Sequence, residues 1–182
     1  MKVTSLKIPD LKIIEPCVHE DERGFFFESF NQKKFNLKIG RDVNFVQDNH
    51  SFSKKYVLRG LHYQKQPFEQ GKLIRVLSGE IFDVAVDIRE ESPTYGQWIS
   101  ACLSSKNRKQ LWIPEGFCHG FLTLSNFAEV LYKTTSFYNK DAEITFPYNS
   151  TKFSIDWPLT NNKIILSEKD NPINIKNNLQ NI

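Results

Sequence analysis

The sequence is poor in cysteine, has no long apolar run and contains no glycine-rich nucleotide loop. Among its 182 residues only Cys17, Cys102 and Cys118 are cysteines, and none forms a CxxC pair. That leaves no spacing for a disulfide framework or a zinc ribbon, and it reads as reduced thiols in a cytoplasmic protein. No apolar stretch approaches the length needed to cross a bilayer. The opening MKVTSLKIPDLKIIEP alternates apolar and polar residues where a signal peptide would hold a continuous apolar segment. A cytoplasmic protein without membrane association is expected. Charge of one sign is not in excess either. The 24 Lys and Arg against 21 Asp and Glu give a formal +3, which makes no case for nucleic acid but is compatible with a locally basic pocket. Neither GxGxxG nor a P-loop occurs, and no redox cofactor is expected. There is no internal repeat and no linker, so one domain over residues 1–182 is expected, with a polar, Asn-rich tail over 171–182.

What the chain does have is strand chemistry. Aromatics make up 13%, with 15 Phe. Segments such as KLIRVLSGEIFDVAVDIR and AEVLYKTTSFY are rich in Val, Ile, Phe, Tyr and Thr and are broken by Gly, Asn, Ser or Pro. Phe82, Val84, Val86 and Ile88 share one face of a strand, and Asp83, Asp87 and Arg89 the other. Ser78-Gly79-Glu80 lies where two alternating runs meet and predicts a hairpin turn. Helix is expected only near Asn31–Leu37 and Ser104–Lys109. The whole predicts an all-β antiparallel sandwich or barrel of jelly-roll type with a few short helices.

Of the four histidines, His19, His50, His62 and His119, two lie in segments denser in glycine and charge than a core strand needs, VLRGLHYQ and WIPEGFCHGF. Strict alternation would send Arg59 and His62 to opposite faces, and Gly60 between them is a natural bulge position that would re-aim one of them. Lys72 shares parity with Ile74 and Val76. It either holds an anion on an inward face or starts the strand and reaches water. Tyr132, Thr134, Ser136 and Tyr138 share one parity, as do Gln47 and Asn49, and either set lines a polar pocket or forms a solvent face. As a charge cluster alone, Glu168, Lys169 and Asp170 read as a solvated loop. Pro114-Glu-Gly-Phe-Cys-His119 matches half of a metal-binding signature. The other half would need an HxH pair followed by glutamate, but here His62 is followed by Tyr63 and Gln64. Two histidines without a third ligand do not make a stable site, so no metal is expected.

In order along the chain, DERGFFFESF, FVQDNHSFS, VLRGLHYQ, GKLIRVLSGEIFDVAVDIR, SPTYGQW, QLWIPEGFCHGF, LYKTTSFYNKDAE and LSEKD resemble the dTDP-4-dehydrorhamnose 3,5-epimerases, cupin-fold enzymes of dTDP-L-rhamnose formation. The likeness runs from about Ile8 to Asp170. It implies a cupin-type jelly roll that inverts C3 and C5 of dTDP-4-keto-6-deoxyglucose without a cofactor, as a homodimer with exchanged N-terminal strands. By position, His62 matches the catalytic base, Asp170 its carboxylate partner, Tyr132 the acid on the opposite face and Lys72 the group beside the enolate oxygen. Arg23, Glu28, Gln47, Asn49, Arg59, His119, Glu143 and Lys169 match substrate-binding positions, and Tyr138 the aromatic that stacks on thymine. Cys118 stands where the family more often has alanine, and FPYNSTKFSIDWP departs from the commoner loop. Three other readings are an epimerase acting at C3 or C5 alone, a non-catalytic nucleotide-sugar-binding cupin, and a metal-dependent cupin oxygenase, which the missing ligands disfavour.

Overall fold

The computed structural model describes residues 1–159 and 164–179. Its first elements are β1 (Lys2–Ser5), β2 (Lys12–Glu15), β3 (His19–Asp21), β4 (Gly24–Phe26), α1 (Gln32–Ile39), β5 (Gln47–Lys54) and β6 (Leu58–Gln64). There follow β7 (Lys72–Ser78), β8 (Glu80–Asp87), β9 (Trp98–Ser104), β10 (Gln110–Ile113), β11 (Phe117–Thr123), β12 (Phe127–Thr134), β13 (Glu143–Thr145) and α2 (Pro172–Leu179). A six-stranded sheet in the order β1-β2-β10-β7-β12-β5 faces a five-stranded sheet in the order β13-β6-β11-β8-β9, and β3 pairs with β4 alone. All the pairings between these strands are antiparallel, which makes this the expected jelly-roll sandwich.

Three apolar clusters hold the layers. Between the sheets pack Ile74, Val76, Ile81, Ala85, Leu111, Phe117, Phe121 and Val130, all buried. The reverse face of the five-stranded sheet buries Leu58, Leu61, Val84, Val86, Cys118 and Leu122 under Phe153 and Trp157. Strands β8 and β11 therefore carry apolar side chains on both faces, and the FPYNSTKFSIDWP segment serves as the cover of the sheet. The reverse face of the six-stranded sheet packs Ile14, Leu73 and Trp112 against Phe35 of α1 and against Val43. Asn31 caps α1 by accepting from the Lys34 N–H, and Gly40 ends it in the left-handed region at φ 82°.

Three expectations are corrected. Ser78-Gly79-Glu80 is not a hairpin, because β7 and β8 lie in different sheets. Gly79, at φ 80°, is the corner by which the chain crosses from one layer to the other, and a Cβ there would meet the Phe127 carbonyl oxygen at 2.0 Å. Ser104–Lys109 is a turn. The Asn107 side chain accepts from the Ser104 and Lys109 N–H groups and donates to the Cys102 carbonyl, and Arg108 at φ 54° stops any helix. The polar tail is not uniformly irregular: Pro172–Leu179 forms α2, and its Ile175 is buried, while 180–182 lie outside the described residues. The alternation of β8 left its inward face open, and in the structure the charged parity faces inward. Asp83 and Asp87 are fully buried beside Ile81 and Ala85, and each is paired, as burial of a carboxylate requires.

Candidate active site

The two sheets part to leave a cleft of about 260 Å³. One wall comes from β6 and β11, the other from β5, β7 and β12, and the segment 167–170 closes one side. Of the residues singled out above, Gln47, Asn49, Arg59, His62, Lys72, His119, Tyr132, Tyr138, Glu143, Lys169 and Asp170 all line it. Arg23 and Glu28 do not. Arg23 lies at the β3–β4 turn with its side chain 85% exposed and paired to Asp21 at 2.6 Å. Glu28 accepts from Asn31 and Lys34 beside α1.

Arg59 and His62 share the cleft because β6 carries a bulge. Opposite β11, His62 pairs with His119 and Arg59 with Phe121, so β6 spends one residue more than its partner. The slack is taken at Gly60, φ 115°, whose missing Cβ would lie 2.6 Å from the Gly120 Cα. Gly120 is equally constrained, its own Cβ position being 2.7 Å from the Arg59 carbonyl. Two glycines back to back let the strands meet where any side chain would force them apart.

His62 Nε2 lies 2.5 Å from Asp170 Oδ1. Asp170 is 2% exposed, so the charge cluster SEKD is a solvated loop only at Glu168 and Lys169. Burial acts to raise the Asp170 pKa, but the hydrogen bond and charge of His62 outweigh it and hold the carboxyl below its ordinary range. An ionised Asp170 orients the ring, fixes which nitrogen carries hydrogen and leaves the other nitrogen to accept a proton. Across the cleft on β12, burial raises the Tyr132 hydroxyl above its usual pKa and keeps it protonated. Lys72 is 8% exposed, and burial pulls its ammonium below the ordinary lysine value. It does not snorkel to bulk water: its side chain enters the cleft at the start of β7. At the rim Glu143 accepts from Lys169 at 2.8 Å and from the Tyr138 hydroxyl at 3.0 Å. Gln47 donates to Asn49 and accepts from the Tyr138 N–H.

Some expectations about neighbours differ. Thr134 and Ser136 share parity with the tyrosines but not the cleft, because β12 ends at Thr134 and its hydroxyl turns back to the Ser136 carbonyl. Ser51, Gln70, Phe121 and Ser167 also line the cleft; Ser51 shares parity with Gln47 and Asn49, and Phe121 with His119, while no spacing marked Gln70 and Ser167. Asp83 was missed. His119 Nε2 lies 2.9 Å and 3.0 Å from its two carboxylate oxygens, and alternation along β8 did not say that its face was the inward one.

Comparison with known proteins agrees with this geometry. Residues 5–176 match the family model described as dTDP-4-dehydrorhamnose 3,5-epimerase. The chain is 56% identical over 170 residues to the protein of that name from Shigella flexneri, covering 93% of each. Among solved structures it is similar to a dTDP-6-deoxy-D-glucose-3,5-epimerase from Legionella pneumophila in complex with dTDP-4-keto-L-rhamnose. That match has a TM-score of 0.90 and 51% identity, over 93% of this chain and 89% of that one. It is also similar, at TM-score 0.85 and 30% identity over 91% and 83%, to a 3'-monoepimerase from Streptomyces bikiniensis in complex with dTDP-quinovose. A likeness that spans the cleft, both sheets and nearly the full length of each relative leads to one conclusion: the chain belongs to the dTDP-4-dehydrorhamnose 3,5-epimerase family.

Proposed function

We propose that this chain converts dTDP-4-keto-6-deoxy-D-glucose to dTDP-4-keto-L-rhamnose by removing and returning a proton at C3 and at C5. The observation that carries the reading is the buried His62–Asp170 pair on one wall of a cleft whose opposite wall presents Tyr132 and Lys72. Protons beside a ketone are acidic because the carbanion delocalises onto the ketone oxygen, so inversion needs a base on one face, an acid on the other and a donor at that oxygen. His62 takes the proton, and Asp170 stabilises the imidazolium that results. Lys72 stabilises negative charge that appears only as the proton leaves, which lowers the barrier and does more than tighten binding. Tyr132 then protonates the same carbon from the far side, and C5 follows C3 or precedes it by the same exchange.

Arg59, His119, Gln47, Asn49, Glu143 and Lys169 hold the nucleotide sugar, Arg59 as a forked donor to the diphosphate, and Tyr138 stacks on the thymine. The whole chain acts as one domain in the cytoplasm, in keeping with its unpaired cysteines. Arg23 and Glu28 complete the site from a second copy, in a homodimer with exchanged N-terminal strands. Support for that arrangement is the β3–β4 hairpin itself, which joins neither main sheet and leaves Phe25 60% and Phe26 73% exposed.

Proton NMR of dTDP-4-keto-6-deoxyglucose with the enzyme in deuterated water, reading C3 and C5 separately, tests the function. Deuterium entering both positions, with an L-configured product trapped by a reductase, is the expected result. Deuterium at one position only makes this a single-centre epimerase, and at neither a binding protein or an enzyme of another substrate.

A further inference from the structure

We infer that Arg108 is a positioning residue whose task is to seat the β3–β4 hairpin so that Arg23, at its turn, reaches the cleft of a second copy; the inference rests on the exchanged-strand reading above. A two-stranded ribbon is marginal on its own and needs something to lie against. β3 and β4 pair only with each other, and their residues are exposed along their whole length. The body of the chain meets this ribbon through one side chain. The Arg108 guanidinium lies 4.3 Å over the Phe25 ring, and its Nη1 donates to Glu20 Oε1 at 2.7 Å. The two contacts fall on opposite halves of the ribbon, Glu20 on β3 and Phe25 on β4, so one planar group fixes both the height and the tilt of the hairpin. Among the described residues, the one other side-chain hydrogen bond to residues 19–26 from outside them is local, Cys17 Sγ at 3.9 Å from His19 Nε2 at the entry to β3. The next anchors are at the stem, where Arg75 lies 5.6 Å over Phe27 and Gln110 donates to the Ser29 carbonyl.

Arg108 is held for this use in a way that a general surface arginine would not need. Its backbone occupies the left-handed region at φ 54°, which a side chain of its size rarely adopts. The turn that imposes it is locked by Ser104 and Asn107, each accepting the other's N–H through its side chain. Its side chain is 23% exposed, and its Nε is buried with no acceptor among the described residues. Contact with the hairpin is what this geometry delivers.

Steady-state kinetics of the full chain with dTDP-4-keto-6-deoxyglucose tests it, using Arg108→Ala, Arg108→Lys, Arg23→Ala and the Arg23→Ala/Arg108→Ala double variant. For Arg108→Ala, KM should rise about tenfold, the scale of a partly desolvated cation–π contact with its ion pair, while kcat and Tm stay close to wild type. Arg108→Lys should recover part of the loss. The double variant should be no worse than Arg23→Ala alone, because Arg108 works through what the hairpin carries. An unchanged KM in Arg108→Ala beside a raised KM in Arg23→Ala overturns the inference and leaves the exchanged strands standing. So do losses that multiply in the double variant, or a fall in kcat and Tm together. An Arg23→Ala variant with wild-type KM sinks the exchanged-strand reading, and this inference with it.

Discussion

The five-stranded sheet holds two histidine–carboxylate pairs, and their chemistry is the same while their settings are not. His62 and Asp170 are 108 residues apart, and the acid arrives on a turn that packs against the sheet from outside it. His119 and Asp83 sit on neighbouring strands of the sheet itself, with both carboxylate oxygens on one ring nitrogen. The His62 side chain is 21% exposed, whereas those of His119 and Asp83 are 10% and 0% exposed. A carboxylate on a histidine always orients the ring. Both rings line the cleft, and whether either can then move protons depends on what meets its other nitrogen. On the proposed mechanism the pair formed inside the sheet is a fixed donor, and the pair assembled across the chain is the proton carrier.

Replacing His62 with Ala breaks this contrast most strongly. Deuterium exchange at both C3 and C5 should fall by on the order of 10³–10⁴, while dTDP binding by calorimetry stays within about twofold. Retained exchange at either carbon would remove His62 from the base role. Asp83→Asn sharpens the contrast. Its amide still accepts from His119, so kcat/KM should drop by only about tenfold, with the ratio of C3 to C5 exchange unchanged. A loss as large as that of His62→Ala would make the second pair a proton carrier as well.

The smallest effect is on acid stability. His62 holds Asp170 below its ordinary pKa of 3.8, and Arg89, Ser92 and Thr94 hold Asp87 lower still, both against the upward pull of burial. A depressed folded pKa means that the unfolded chain binds protons first. The stability is therefore complete above about pH 3.8 and drains as pH falls through the lower folded values. Urea midpoints at pH 7, 5 and 3 should stay level between the first two and drop at the third, and Asp170→Asn should shrink that drop. A midpoint that already falls between pH 7 and 5 would show other groups in control.

The fold was legible because period-two alternation and turn residues state strand content directly, and the sheet count follows from close spacing. Alternation says which residues share a face but not which face is inside, so β8, apolar on one parity and acidic on the other, hid Asp83. Nor does it say whether two runs joined by glycine pair or part, which is why the Gly79 corner looked like a hairpin. Within the cleft, residues on strands were found by parity and resemblance together. Gln70 and Ser167 come from connections whose path depends on tertiary packing, and no local pattern in the chain reports it. Arg23 and Glu28 are the reverse case. The resemblance alone assigns them to the site, and one copy of the chain does not bring them there.

The Gly60 bulge has a consequence for which molecules the cleft accepts. Arg59 and His62 are separated by two residues of one strand, and the strand is pinned from behind by Gly120. With the roles proposed above, the group that grips the anion and the base that takes a proton from carbon cannot drift apart or approach each other. The strand then works as a ruler. A sugar joined to its anion by a longer or shorter bridge would present the wrong C–H to the ring, however well either end fitted, so on the proposed mechanism length is sorted before chirality is touched.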